Sequence, residues 1–175
     1  MKVKKPVGTI DKLAGGIYRV NNDRLILGRS RCIYIHNGGY YLTQIGIYAD
    51  GVIDCWGLVS FEEFEEKVRK GWILCRLPDG VDVDVHLLGT LKVKDAYNYV
   101  LPEELIKEVK DTIADLNDEP TSLSRCRTAY QDYLNNPLPK LKEVLRNAYR
   151  SIPVHMRIFV LGDMERQDYP ITSII

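Results

Sequence analysis

From Val81 to His86 the chain alternates valine with Asp82, Asp84 and His86. Alternation is the period of a β-strand, so it puts the three polar side chains on one face and the valines on the other. Two carboxylates and an imidazole are ligands for a divalent cation, or the acid and base of a small hydrolase. The spacing argues against the metal. Same-face neighbours on a strand lie roughly 7 Å apart, and a cation at about 2.0–2.5 Å from each ligand cannot reach all three along one straight strand. A polar solvent face opposite a valine core face is the simpler reading, and no metal or other cofactor is expected.

A second group lies in Tyr48-Ala49-Asp50-Gly51-Val52-Ile53-Asp54-Cys55-Trp56-Gly57, where two carboxylates, a thiol and a tryptophan surround a tight turn. The carboxylates could act as acid and base and Trp56 could flank a ligand. Asp50-Gly51 is already explained as turn chemistry, and Asp54 shares its strand face with Trp56. A third group, His155, Arg157, Asp163, Glu165, Arg166 and Asp168, suits anion binding or proton relay, but surface ion pairs at a strand end account for it as well.

Eleven tyrosines against three phenylalanines give the chain rings with polar tips, the kind that work half exposed. Tyr18, Tyr34, Tyr40, Tyr41, Tyr48, Tyr97 and Tyr99 fall in or beside the strand-rich half, so a tyrosine-bearing sheet face with Tyr40, Tyr48 and Trp56 is a candidate binding surface. Plain coverage of sheet surface by strand-favouring residues is the alternative. The phosphate-binding, dinucleotide, serine-hydrolase and zincin signatures are all missing. Gly15-Gly16 and Gly38-Gly39 are turn glycines that open no helix.

Composition narrows the class further. The 175 residues carry 24 Lys plus Arg against 24 Asp plus Glu, so no net field gathers a polyanion and nucleic acid is disfavoured as a partner. Lys2, Lys4 and Lys5 are followed by Thr9, Asp11 and Lys12 where an export signal needs an apolar run. No stretch has the ~18 apolar residues of a membrane span, so a cytoplasmic location is expected. Cys32, Cys55, Cys75 and Cys126 form no C-x-x-C pair and read as reduced, small core hydrophobes.

The elements that must position these groups change character near residue 95, strand-rich over 15–94 and helix-rich over 95–152. Asn21-Asn22-Asp23, Asn37-Gly38-Gly39 and Ala49-Asp50-Gly51 tolerate the positive φ of tight turns and predict successive hairpins. Strands are expected at Ile17–Val20, Arg24–Leu27, Cys32–His36, Tyr40–Tyr48 and Val52–Leu58. Ser60 and Glu63 make a capping box for a helix that carries Phe61, Phe64 and Val68 on one face and stops at Gly71. A further hairpin, Trp72–Leu77 with Val81–Leu88, is expected through Pro78-Asp79-Gly80, with Thr90–Val93 as an extension.

Three amphipathic helices follow: Pro102 to about Leu116, one capped by Thr121 or Ser122, and one between Pro137 and Pro153. His155–Leu161 alternates and reads as a closing strand, followed by a polar turn from Gly162 to Asp168 and a short apolar tail, strand and tail together spanning 153–175.

The expected fold is therefore a single α+β domain over 1–175. An antiparallel β-meander of about six or seven strands, with one inserted helix, packs with a C-terminal group of three helices and a final strand. The functional expectation is a protein-binding or regulatory module, of the immunity kind found in bacteria, without catalysis and with a possible homodimer through a strand edge. The alternative is a small hydrolase-like enzyme using acidic residues of the sheet, Asp54, Asp82 and Asp84, with His86, and with or without a divalent metal. It requires the sheet to gather those side chains in one concavity.

Overall fold

The computed structural model describes residues 4–7, 16–97, 100–162 and 169–175, the first of these as backbone only. Asp163, Glu165, Arg166 and Asp168 of the third group lie outside the described residues, as do Tyr99, Gly15 and most of the 162–168 turn. The chain is α+β and divides at Asp118–Glu119 into two compact units.

In the first unit the described strands form one sheet: β1 (Lys4–Val7), β2 (Ile17–Asn21), β3 (Arg24–His36), β4 (Tyr40–Tyr48), β5 (Ile53–Asp54), β6 (Leu58–Val59), β7 (Ile73–Leu74), β8 (Asp82–Val85) and β9 (Gly89–Lys92). Two helices accompany it, α1 (Phe61–Arg69) and α2 (Pro102–Leu116). The meander expected from the turn residues is present as β2 to β6, each antiparallel to the next. Asn22 and Asp23 take φ of 48° and 59°, the left-handed pair that a two-residue hairpin demands.

Several expectations need correcting. Arg24–Leu27 and Cys32–His36 are parts of one 13-residue strand, β3, whose pairing passes from β2 to β4 at Gly28. Val52–Leu58 is not one strand, because Cys55-Trp56-Gly57 turns the chain between β5 and β6. The Trp72–Leu77 strand shrinks to β7, which pairs with β3, while β8 runs parallel to β4 and antiparallel to β9. Proximity in sequence favoured the wrong partner for β8.

The capping box forms as read. Ser60 Oγ accepts from Glu63 N at 3.2 Å and Glu63 Oε2 accepts from Ser60 N at 2.7 Å. Phe64 and Val68 then enter a core with Ile33, Ile35, Ile45, Ile47, Ile53, Ile73, Leu105, Ile106 and Val109. Alternate residues of β3 and β4 supply its sheet side, and α1 and α2 close it. Arg29–Asp115 at 2.6 Å and Arg31–Glu108 tie β3 to α2 at the margin of this core.

The second unit packs α3 (Ser122–Asn135) on α4 (Pro139–Ser151) around Cys126, Ala129, Leu145 and Tyr149. Thr121 caps α3 by accepting from Ser124 N at 3.3 Å. The expected closing strand is instead a 3-10 helix, Val154–Phe159, followed in the described residues by a short α5 (Tyr169–Thr172). The alternating residues do not share a face in it: Val160 is buried, Met156 half-buried and Ile158 exposed. The carbonyls of Phe159 and Val160 are taken by the Arg127 guanidinium, and Val160 is buried against α3 and α4. These partners hold the segment on the helices of its own unit. No helix among the described residues is long and apolar enough to cross a membrane.

Candidate functional site

β4 organises the site. β3 occupies one edge of it from Tyr40 to Tyr48, so its two other partners share the opposite edge. β8 takes Tyr40 to Leu42 and β5 takes Gly46 and Ile47. Among the described residues no strand pairs with Thr43–Ile45 on that edge. The edge forks there, and a cleft of about 370 Å³ lies beside it, lined by Tyr41, Leu42, Thr43, Trp56, Asp84, Val85, His86, Leu87, Gly89 and Thr90.

Trp56 enters from the β5–β6 turn. Its φ is +60°, a left-handed conformation that costs a tryptophan about 1–2 kcal/mol and that glycine would adopt freely. The turn is held by Gly57 N donating to Asp54 Oδ1 at 3.2 Å and by Cys55 N donating to Gly57 O at 3.1 Å. The indole is 50% exposed. It meets Tyr41 at 5.1 Å and 67°, and Trp72 at 6.0 Å and 88°, so three rings stand in a row at steep angles. At the far end Lys67 Nζ sits 3.9 Å over the Trp72 ring.

The opposite wall comes from the β8–β9 hairpin. β8 alternates as the sequence implies, with Val83 3% exposed and Asp82 and Asp84 open to solvent. The register places Asp84 beside Tyr41 and across from Thr90, whose Oγ1 donates to Asp84 Oδ1 at 2.7 Å. Among the described residues nothing hydrogen-bonds the other carboxylate oxygen. His86 lies one residue past the end of β8, in an exposed turn with Leu87 at φ 61°, and borders the cleft without belonging to the strand face.

The candidates named from sequence are therefore only partly gathered. Asp84, His86 and Trp56 share the cleft. Asp54 is committed to the turn, and Asp82 stands opposite Lys92 in the hairpin register. Among the described residues no three His, Cys, Asp or Glu side chains are grouped to hold a metal ion.

The tyrosines divide as well. Tyr40 lies on the other sheet face from Tyr41 and stacks on His36 at 4.6 Å. Tyr48 is 7% exposed in a core with Ile26, Leu27, Ala49 and Leu116, where burial and then Asp54 push its phenol up from the ordinary value. Thr43, Thr90 and Trp72 completed the cleft and its aromatic row without a sequence signal. A larger groove of about 580 Å³ runs past Leu74, Cys75, Tyr97 and Leu101, but its Arg69 is engaged by Glu65 and Glu103.

Cys55 and Cys126 are buried, and Cys75 is partly buried and packs against the first core. Burial raises Cys55, and raises Cys75 and Cys126 to about 11 each. Cys32 is exposed on β3 beside Gln44, which corrects its reading as a core residue.

The first unit thus defines an α+β sheet domain with an aromatic and acidic cleft at a forked strand edge. A family model described as a domain of unknown function (DUF7638) matches residues 17–120, more than half of the chain, and the chain belongs to that family. A second model, also described as a domain of unknown function (DUF7639), matches residues 121–175. No curated protein and no solved structure matches the chain.

Proposed function

We propose that the first unit is a recognition module for a protein partner, without catalysis, and that the Trp56–Asp84 cleft is its reading site. The observation that carries this is Trp56, held half exposed in a strained conformation where the turn itself asks for glycine. Strain of that kind persists where the exposed side chain is used. The forked edge of β4 supports a protein over a small metabolite. A peptide chain can offer a side chain to the cleft and its main chain to the strand edge at Thr43–Ile45. The enzyme alternative retains Asp84 and His86 only, without the other carboxylates it called for.

The test is a photo-crosslinking amino acid at position 87, where Leu87 is 90% exposed at the cleft. Introduced into the full chain in its native host, it is expected to give one discrete adduct that Trp56→Ala abolishes. A crosslinker at Leu134, exposed in the second unit, serves as control. The proposal fails if no adduct forms at 87 or if the adduct persists without the indole.

A further inference from the structure

Resting on that reading, we infer that the cleft receives an organic cation, the ammonium or guanidinium tip of a lysine or arginine side chain presented by the partner. Two observations converge on this chemistry. Tyr41 and Trp56 meet at 67°, so they form a corner of ring and not a flat platform. Ring faces are the negative side of the aromatic quadrupole and attract cations. Among the described residues Asp84 is the one carboxylate in the lining, and it is fixed by Thr90 through one oxygen while nothing described hydrogen-bonds the other.

The same row of rings already performs this recognition once within the chain. Lys67 Nζ rests 3.9 Å over Trp72, and Trp56 is the next ring, 6.0 Å away. Lys67 saturates the inner end of the row, and the outer end carries a carboxylate in place of an ammonium. Other ligand classes fit less well. An anion meets the like charge of Asp84. A neutral aliphatic group desolvates Asp84 without replacing its water.

The experiment titrates the 15N-labelled full chain with four probes: the N-acetyl methylamides of lysine, arginine and norleucine, and methyl glucoside. The indole N–H resonances of Trp56 and Trp72 are followed. The lysine or arginine probe is expected to shift the Trp56 resonance saturably in the millimolar range, and Asp84→Asn to weaken it about tenfold. The rest of the Asp84→Asn spectrum reports that the variant is folded. Equal shifts with norleucine amide or methyl glucoside, no shift with any probe, or a cation titration indifferent to Asp84→Asn would each overturn the inference. A Trp56-dependent crosslink alongside a null titration would leave the recognition reading standing and remove the cation alone.

Discussion

Replacing Trp56 separates the backbone cost of the turn from the contribution of the indole. With half the side chain covered, about 100 Å² of ring surface is at stake, worth about 2.5 kcal/mol at ~25 cal/mol/Å². The edge-to-face contacts with Tyr41 and Trp72 add about 0.5 kcal/mol each. Trp56→Ala forfeits all of this and keeps a Cβ at φ +60°, so it should cost about 3.5 kcal/mol. Trp56→Gly forfeits the same contacts but relieves about 1–2 kcal/mol of backbone strain, offset by about 0.5–1 kcal/mol of extra unfolded-state entropy. Glycine should therefore be more stable than alanine by about 0.5–1 kcal/mol, the reverse of their order at an ordinary strand position. Both tryptophans of the chain, Trp56 and Trp72, lie in the first unit, so either variant leaves Trp72 as the sole indole. Its fluorescence in urea then follows that unit, and the difference corresponds to a midpoint shift of about 0.3–0.5 M at a slope of ~2 kcal/mol/M. Alanine equal to or above glycine would mean that the turn leaves the left-handed region once the indole is gone, and the strain argument would be refuted.

Two further outcomes follow from the same geometry. A Cβ on Gly28 would lie 2.7 Å from the Ile47 carbonyl oxygen, which is backbone and cannot yield, and 2.7 Å from the Tyr48 ring, whereas one on Gly46 would lie 2.9 Å from Ile17 Cδ1, which can rotate away, and 3.1 Å from the Tyr48 hydroxyl. Gly28→Ala should cost about 2–3 kcal/mol and Gly46→Ala less than half of that, measured by the same urea transition; the reverse order would count against the assigned β3–β4 packing. In thiol labelling followed by mass spectrometry, Cys32 should react first. The Cys75 rate should rise about tenfold per pH unit from pH 8 towards 11, because its thiolate gains population only as pH approaches a pKa raised by burial. Cys55 or Cys126 labelling as fast as Cys32 would contradict their burial.

What the sequence made legible was local. Asn22-Asp23, Gly38 and Gly51 marked their turns because those residues accept positive φ without strain, and Ser60 with Glu63 marked α1 because its cap is a bond between near neighbours. The Cys55-Trp56-Gly57 turn was hidden for the converse reason: its left-handed position is filled by a residue that ordinarily avoids it. The 3-10 segment was misread because alternation over so few residues does not by itself secure a strand. Its real partners, such as Arg127, lie more than 30 residues earlier in the chain.

The cleft was illegible for a deeper reason. Trp56 and the Asp84–His86 pair each stood out in the sequence, yet they are almost 30 residues apart and no periodicity relates them. What joins them is that β4 changes partners along one edge, antiparallel β5 at Gly46–Ile47 and parallel β8 at Tyr40–Leu42. A parallel pairing is made through a long connection, so its register is fixed by burial of Val83 against the sheet and by no turn residue that a reader could find. That same valine alternation decides which way Asp84 faces. A shift of one residue in β8 would bring Val83 or Val85 beside Tyr41, put Asp84 on the opposite face and dissolve the site. The hydrophobic pattern that looked like mere strand periodicity is thus what sets the carboxylate beside the aromatic row.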